Sequence, residues 1–480
     1  MKTIKHLLPL ILITALFLSG CKKEKPVVKD EKPQATALTQ KINSFIKSVM
    51  TDVYLWYDKM PDIDIKYETD SKAYFKKLLY VDDKWSIVTD DVTALANGLA
   101  GSEKTFGYSL ALGKFVDGTG ASTGNYFAIV EYVYPNSPAS KAGFIRGDII
   151  VKLNGGNITT DSFVTLFYGS SISVTKGILT NGSIATGTTV SLVAEDLKLD
   201  PVLLYKIIDR DQHKIGYLFY VQFIAGYDST SLYKALQNFK DNQITDLVVD
   251  LRYNMGGAIS SAQYLSSSIA PLSAVNSKST LVTYQWNNKL QSYWISKNIQ
   301  EQLRVNFNSN VPVKLGLSKV YILTGTYTAS ASELTICGLD PYMDVILVGS
   351  KTYGKYAGSV VLSPADWYTN ASEYSDFKNW GLMPVVLRYA NSLGVTDFIN
   401  GFPPDFSVDD ALLPAYPLGD LTEPLLKKAV ENITGKIITG TKKAGLPIKY
   451  EVVDHGSSKF DKQKNNLFIE LPRNFKKIQE

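Results

Sequence analysis

Between Leu38 and about Asp90 the apolar side chains recur three and four positions apart, as in Ile42, Phe45, Ile46, Met50, Val53 and Tyr54, and Tyr80 to Ile87 closes the segment. That spacing lines one face of a helix and predicts a small helical domain over residues 40–102. From Phe106 to about Leu197 the pattern changes to short strands and turns. Phe127-Ala-Ile-Val-Glu-Tyr-Val133 is followed by Pro135-Asn-Ser-Pro138, and Gly147-Asp-Ile-Ile-Val-Lys-Leu-Asn154-Gly155 reads as a strand ending in a hairpin-type Asn-Gly turn. Residues 103–198 are therefore expected to form a β-rich domain. From 199 to 440 strands and helices alternate: strands at Ile215–Phe223, Leu247–Leu251, Val320–Leu323 and Val345–Gly349, with helices near Ser229–Asp241, near Ser260–Ile269 and from Ala331. Only a crossover helix returns a chain to pair in the same direction, so this α/β domain should have a parallel sheet, with its chemistry at the carboxyl ends of the strands. The whole reads as a multidomain α+β protein. Residues 441–480 carry no strong period and are expected to be a loosely attached basic tail or a final strand.

Composition narrows the function classes. In 480 residues, 45% are hydrophobic and 20% charged, the make-up of an ordinary globular protein. The net charge of +4 equals the excess of nine Lys/Arg over five Asp/Glu in residues 441–480 alone. That balance gives no electrostatic footprint for nucleic acid. Two cysteines, Cys21 and Cys337, exclude a disulfide scaffold and a Cys-rich metal site, so neither metal nor other cofactor is expected.

The N-terminus carries an address. Lys2 and Lys5 precede an apolar run from Leu7 to Leu18, too short to span a bilayer but suited to a signal peptide. Leu18-Ser-Gly-Cys21 resembles a bacterial lipobox, which implies removal of residues 1–20 and lipidation of Cys21. The Lys-, Glu- and Pro-rich residues 21–39 then form a flexible tether to the cell envelope, with the outer membrane the expected location. His6 leaves with the signal, so His213 and His455 remain.

Three loops at predicted strand ends have unusual sequences: Asp250-Leu-Arg-Tyr-Asn-Met-Gly-Gly257, Thr328-Ala-Ser-Ala-Ser-Glu333 at a helix start, and Gly349-Ser-Lys-Thr-Tyr-Gly-Lys355. Ser137-Pro-Ala-Ser-Lys-Ala-Gly143 with Gly147-Asp148-Ile149 resembles the PDZ domains of bacterial proteases. In those domains a Gly-containing loop captures a peptide C-terminus on backbone amides, and Phe106-Gly107-Tyr108-Ser109 holds the matching position. The three loops together resemble the carboxy-terminal processing peptidases, the S41 serine peptidases, and the order helical cap, PDZ domain, catalytic domain is similar as well. The resemblance implies a ClpP/crotonase-like catalytic fold, Ser330 as nucleophile, and Lys355, 25 residues later, as its base.

The chemistry supports that pairing independently. A serine hydroxyl needs a base, usually His, but His213 precedes a strand and His455 lies in the terminal stretch. A lysine serves when burial favours its neutral amine. Ser330 at a helix start places the Ala331 amide among the unpaired donors of the first turn, with Gly256 or Gly257 as the second oxyanion donor. Each piece has a plainer reading. Ser330-Ala-Ser-Glu333 is also a capping box. Gly349 to Lys355 approaches a nucleotide-binding Walker A loop, but Tyr356 replaces the hydroxyl residue and a strand-like run replaces the helix, so no nucleotide is expected. Asp250 and Arg252 read as a structural ion pair, and Cys337 as a helix face turned inward.

One position departs from the family. Many relatives carry Gln four residues after the lysine, where this chain has Ser359, a candidate orienting residue. The expected activity is a Ser-Lys endopeptidase acting on proteins or peptides, including their C-termini, presented by the PDZ domain. The rival is a protease-like lipoprotein that binds peptides without cleaving them. A sugar-binding surface protein would suit the many aromatics, but no motif supports it.

Overall fold

The computed structural model describes residues 32–116, 122–180, 183–396, 398–439, 450–454 and 467–468. The signal segment, Cys21, most of the tether and His455 lie outside these residues. Helix α1 (Ala37–Val53) begins inside the stretch read as tether, because Thr36 caps it: its hydroxyl oxygen accepts the Thr39 amide at 3.1 Å. Just before it, the Ala35 amide donates to the Lys66 carbonyl at 2.8 Å. Helix α2 (Ser71–Leu78), capped by Asp70, strand β1 (Ile87–Thr89) and helix α3 (Val92–Leu99) complete the segment.

This segment is helical as expected, but it has no core of its own. The buried face of α1, including Phe45, Ile46, Val49 and Met50, belongs to one continuous cluster with Leu218, Val249, Leu265, Leu334 and Leu387 of the α/β domain. The apolar period predicted the helix correctly, but a period names the buried face without naming what buries it.

The second unit runs β2 (Ser102–Thr105), β3 (Tyr108–Val116), β4 (Ser122–Val133), α4 (Pro138–Lys141), β5 (Ile149–Leu153), β6 (Gly156–Asn157), α5 (Thr160–Phe163), α6 (Thr165–Tyr168), β7 (Ser171–Thr180), β8 (Ser183–Val193) and β9 (Glu195–Lys198). Strands β3, β4, β5, β7 and β8 lie side by side and antiparallel over a separate core that includes Phe106, Leu110, Val130, Ile150, Leu166 and Val174, while β2 and β9 pair at the base.

The third unit contains β10 (Val202–Arg210), β11 (His213–Tyr220), α7 (Ser231–Asp241), β12 (Asp246–Asp250), α8 (Ile259–Ile269), α9 (Leu272–Asn276), β13 (Thr280–Trp286), α10 (Asn288–Ser296), β14 (Arg304–Asn306) and β15 (Lys319–Thr324). It continues through α11 (Ala331–Leu339), β16 (Asp344–Gly349), β17 (Ala357–Ser359), α12 (Pro364–Trp367), β18 (Gly381–Met383), β19 (Val385–Asn391), β20 (Phe406–Ser407) and α13 (Pro424–Thr434). One sheet has the order β10-β11-β12-β15-β16-β20, parallel throughout except for the β10–β11 hairpin. A second sheet, β14-β13-β19-β17, is antiparallel and was not legible in the strand-helix rhythm. Helix α11 packs against α8 and strands of both sheets, and every one of its residues is buried. Its polar residues Ser332, Glu333 and Thr335 are buried with hydrogen-bond partners, as enclosure on all sides requires.

The terminal stretch contributes two strands. Here β21 (Tyr450–Asp454) pairs with β3, and β22 (Leu467–Phe468) pairs with β17. Of the two readings given for this stretch, a loose basic tail or a final strand, the described residues follow the second, with two short strands rather than one.

Because α1 shares its core with the α/β unit, the two should unfold together. Phe45→Ala should cost about 3–5 kcal/mol. Far-ultraviolet dichroism and the fluorescence of buried tryptophans should give coincident denaturant transitions; an earlier, separate helical transition would contradict the shared core.

Candidate active site

The three loops singled out in the sequence meet at the carboxyl ends of β12, β15 and β16, where a parallel sheet delivers them. Ser330 sits between β15 and α11 with φ 64° and ψ −114°, a left-handed backbone that costs a serine about 1–3 kcal/mol. It is buried, and its hydroxyl oxygen has no hydrogen-bond partner among the described residues. Such strain at an unpartnered hydroxyl persists only where the surroundings impose it.

Glu333 imposes much of it. This carboxylate, fully buried on the first turn of α11, accepts the Ser330 amide at 2.9 Å and the Lys355 amide at 2.7 Å on the same oxygen. Its other oxygen accepts the Thr352 hydroxyl and the Gly354 amide, each at 2.6 Å. Burial pushes the Glu333 carboxyl above its ordinary value, and these four donors oppose the shift. The capping-box residue is therefore a clamp between the serine and lysine loops. The Tyr389 hydroxyl also lies 3.2 Å from the carbonyl oxygens of both Ser330 and Lys355, sharing its proton between them.

Lys355 is buried, and burial lowers its amine to about 7, against the opposing pull of the Asp83 and Glu333 carboxylates. Asp83 reaches this position from the helical segment, where Tyr54 and the amides of Trp85 and Ser86 hold it. Ser359, on β17, is buried with its hydroxyl also lacking a partner among the described residues.

The first loop is fixed from both ends. Arg252 makes paired bonds to Asp250, at 2.9 and 2.8 Å, and to Glu423 at the start of α13, at 2.7 and 2.9 Å. This is the structural role read for Asp250 and Arg252. Asn254 then joins the loop to the serine: its carbonyl accepts the Ser332 hydroxyl at 2.9 Å and the Ala329 amide at 3.2 Å. Gly256 lies so close to Ser330 that an added Cβ would stand 2.6 Å from the serine Cβ.

The Gly256 amide, however, donates to Asn254 Oδ1 at 2.9 Å. Of the two glycines expected as oxyanion donors, Gly256 is thus engaged in an Asx turn, and Gly257 is the one whose amide no described acceptor takes. Ala331 keeps the place expected of it, as the first residue of α11.

The PDZ loop is differently placed from expectation. Phe106, Gly107, Tyr108 and Ser109 stand at the start of β3, but they are buried beneath the turn that leads into α4. The Gly107 amide donates to Thr105 Oγ1 at 3.2 Å, its carbonyl accepts the Tyr134 amide and the Ser137 hydroxyl, and Ser109 donates to Glu131 at 2.7 Å. The loop's groups are thus largely satisfied internally rather than open to a carboxylate.

His213 lies beside Asp246, with Nδ1 and Oδ2 2.7 Å apart, at the amino end of β12 and so across the sheet from the three loops. Cys337 is buried, its thiol pushed up to about 12 by desolvation, as befits a packed helix face. Glu333 was visible in the sequence only as a cap. Asn254 and Thr352 lay inside the motifs without a sign of their contacts, and Tyr389 and Asp83 gave no local signal.

If Glu333 aligns the two loops, Glu333→Gln should leave buried amides unpaired, costing about 1–3 kcal/mol, and should slow covalent labelling of Ser330 by a serine-reactive probe about 10²-fold. Unchanged labelling would remove Glu333 from the positioning scheme.

Comparison with known proteins agrees with this architecture. Residues 214–386 match the model of peptidase family S41, residues 41–87 the S41 N-terminal domain, and residues 129–173 a PDZ domain. A carboxyl-terminal-processing protease of Picosynechococcus sp. is 27% identical over 224 residues, 46% of this chain and 49% of that protein. A carboxy-terminal-processing protease of Bartonella bacilliformis is 22% identical over 310 residues, 61% and 62% of the two chains. The matched stretch thus spans about half to three fifths of these relatives. A crystal structure of a Bacteroides fragilis protein assigned to the S41 proteases superposes with a TM-score of 0.66 at 29% identity, over 82% of this chain and 97% of that one. In this order, then, the chain carries an S41 N-terminal domain, a PDZ domain and a peptidase family S41 domain.

Proposed function

We propose that the chain is a serine endopeptidase in which Lys355, as the neutral amine, takes the Ser330 proton while the serine oxygen attacks a peptide carbonyl. The carbonyl oxygen becomes an oxyanion facing the amides of Ala331 and Gly257. Collapse of the tetrahedral species breaks the C–N bond, and the Lys355 ammonium returns its proton to the leaving amine. Water, deprotonated by the same lysine, then hydrolyses the Ser330 ester and restores the serine. Ser359 is assigned an orienting role. The observation that carries this reading is the buried Lys355 amine at about 7, anchored through its amide to the same Glu333 oxygen that holds the Ser330 amide.

The pH dependence has a definite sign. The base acts when neutral, so kcat/KM should rise with pH through about 7 and level off above it. Ser330→Ala and Lys355→Ala should each abolish cleavage of an unfolded protein substrate, and Lys355→Arg should not rescue, since a guanidinium stays protonated. His213→Ala should retain full rate and Ser359→Ala should lose less than the other two. Below about 7 the lysine is charged in both folded and unfolded chains, and above it only the unfolded chain still binds that proton. Wild-type stability should therefore climb with pH from about 7 to the ordinary lysine range, and Lys355→Met should flatten that climb. Wild type and Ser330→Ala digesting at equal rates would refute the assignment. Peptide binding with no cleavage of any substrate would favour the non-cleaving rival.

The lipobox-like Leu18 to Cys21 supports a lipid-anchored enzyme at the bacterial envelope, with the PDZ domain presenting protein or peptide substrates. Intact-mass analysis of the membrane-bound form should show a chain starting at a diacylated Cys21. An unmodified Cys21 in a membrane-bound chain would disprove the anchor.

A further inference from the structure

The loop that leaves the carboxyl end of β11 holds an acid for which the proposed chemistry has no use. Residues 221–230 run beside the first of the three loops. The Phe223 amide donates to the Gly256 carbonyl and the Ala258 amide to the Phe223 carbonyl, each at 2.9 Å, and Asn254 Nδ2 donates to the Tyr220 carbonyl at 2.9 Å. Asp228 then lies against the first turn of α8, where Ser261 donates to its Oδ2 at 3.2 Å. That turn follows directly on Gly257, so at about 1.5 Å per helical residue Ser261 stands roughly 6 Å beyond the expected oxyanion donor.

Asp228 is short of partners. Its Oδ1 is enclosed and accepts no hydrogen bond, and no lysine or arginine among the described residues pairs with it. Burial pushes its carboxyl up to about 6, opposed only by the Ser261 hydroxyl. The buried carboxylates nearer Ser330 are treated differently: Glu333 has its four donors, and Asp250 and Glu423 share Arg252. The groups around Asp228 lack partners too. Tyr220 is fully buried with an unpaired hydroxyl, and the Tyr264 hydroxyl, one turn beyond Ser261, is also unpaired. Both rings lie within reach of the Asp228 charge, since burial first and that carboxylate after it raise the two phenols. The Ser231 hydroxyl, at the start of α7, is another buried group without a partner. Buried polar atoms as a rule are hydrogen-bonded, so several orphans around one carboxylate mark a place for a ligand that brings donors. The loop is open to one: Asp228 is only half-buried, and Gly226, Ser229 and Thr230 are exposed.

The acceptors specify the ligand. An ionised carboxylate oxygen only accepts, and a phenol oxygen accepts while its own proton turns elsewhere. An ammonium offers three donors and a full positive charge on one compact centre, which suits a carboxylate flanked by two hydroxyls. A divalent metal ion would need more charged oxygens than a single carboxylate supplies. We propose that Asp228, with the hydroxyls of Tyr220 and Tyr264, forms an ammonium-binding subsite that takes a lysine side chain or a chain-terminal amine of the substrate within about three residues of the scissile bond. Its role in substrate choice rests on the peptidase reading above, whereas the binding of an ammonium does not.

Binding and cleavage are read separately. Short N-acetylated peptides of alanine and valine carry one lysine, moved position by position, and each has a counterpart with norleucine in its place; a further set has norleucine and a free α-amine. On a Ser330→Ala chain the ammonium-bearing peptide of the right register should bind about tenfold or more tighter than its acetylated norleucine counterpart. A gain confined to the lysine peptides assigns the subsite to a side chain, and one confined to the free-amine set assigns it to a chain terminus. With Ser330 present, the same register should show a similar ratio in kcat/KM. Asp228→Asn should bring both ratios near unity, and Tyr264→Phe should lower them several-fold. Equal binding of all sets, or a preference that survives Asp228→Asn, overturns the subsite. Cleavage with no such ratio overturns its role in substrate choice and leaves the peptidase reading standing. A binding preference with no cleavage by the wild-type chain keeps the ammonium site and sinks the peptidase reading instead.

Discussion

A single buried carboxylate holds the candidate site together. Glu333 accepts donors from the serine loop and from three residues of the lysine loop, so two segments with no covalent reason to meet are fixed to a common centre. A carboxylate is suited to this task because it accepts several hydrogen bonds at once, and charge-assisted bonds are stronger than neutral ones. Its desolvation cost is offset by those same donors. The strained Ser330 backbone is tolerated because the amide is bound here, the helix of α11 follows, and Gly256 fills the space beside it.

Around this centre the structure places charge where burial makes it consequential. Lys355 is pushed toward its neutral form by desolvation, while Asp83 and Glu333 keep the shift from running further. In the proposed mechanism, the amine is thereby left near the pH at which a base is useful. Because Asp83 comes from the helical segment, the shared hydrophobic core beneath α1 also sets the distance between that carboxylate and the lysine. A loosened N-terminal segment would alter the electrostatics of the site without touching any residue of the α/β loops.

A second buried network joins the PDZ unit to the first loop. Arg146, just after α4, donates to the Tyr253 hydroxyl and to Asp410, each at 2.6 Å, and Arg252 shares Asp410 at 3.0 Å. Against burial, which raises it, the two guanidinium groups hold the Asp410 carboxyl down at about 2. Tyr253 precedes Asn254, whose side chain and carbonyl organise the glycines and the serine loop. Removing one member of such a network would leave an uncompensated buried charge, so its parts are expected to hold position as a unit.

The sequence by itself determined the local elements and the chemistry-bearing loops. Apolar period separated α1 from the β-rich stretch, strand-helix alternation implied the parallel sheet, and that sheet implied that Ser330 and Lys355 should approach each other. These are properties of neighbouring residues, and backbone geometry converts them directly into direction and face. The tertiary structure decided what no local pattern encodes: that α1 packs into the core of the α/β unit, that among the described residues the Gly256 amide is taken and that of Gly257 is not, that the PDZ loop is buried, and that Tyr389 and Asp83 reach the site from far along the chain. It also converted Glu333 from a helix cap into a clamp, and decided between tail and strand for parts of the terminal stretch, which pair with β3 and β17. The physical reason is the same in each case. A residue's period or motif fixes its own conformation, but its burial, its hydrogen-bond partners and its proton affinity depend on groups brought near it only when the chain has folded.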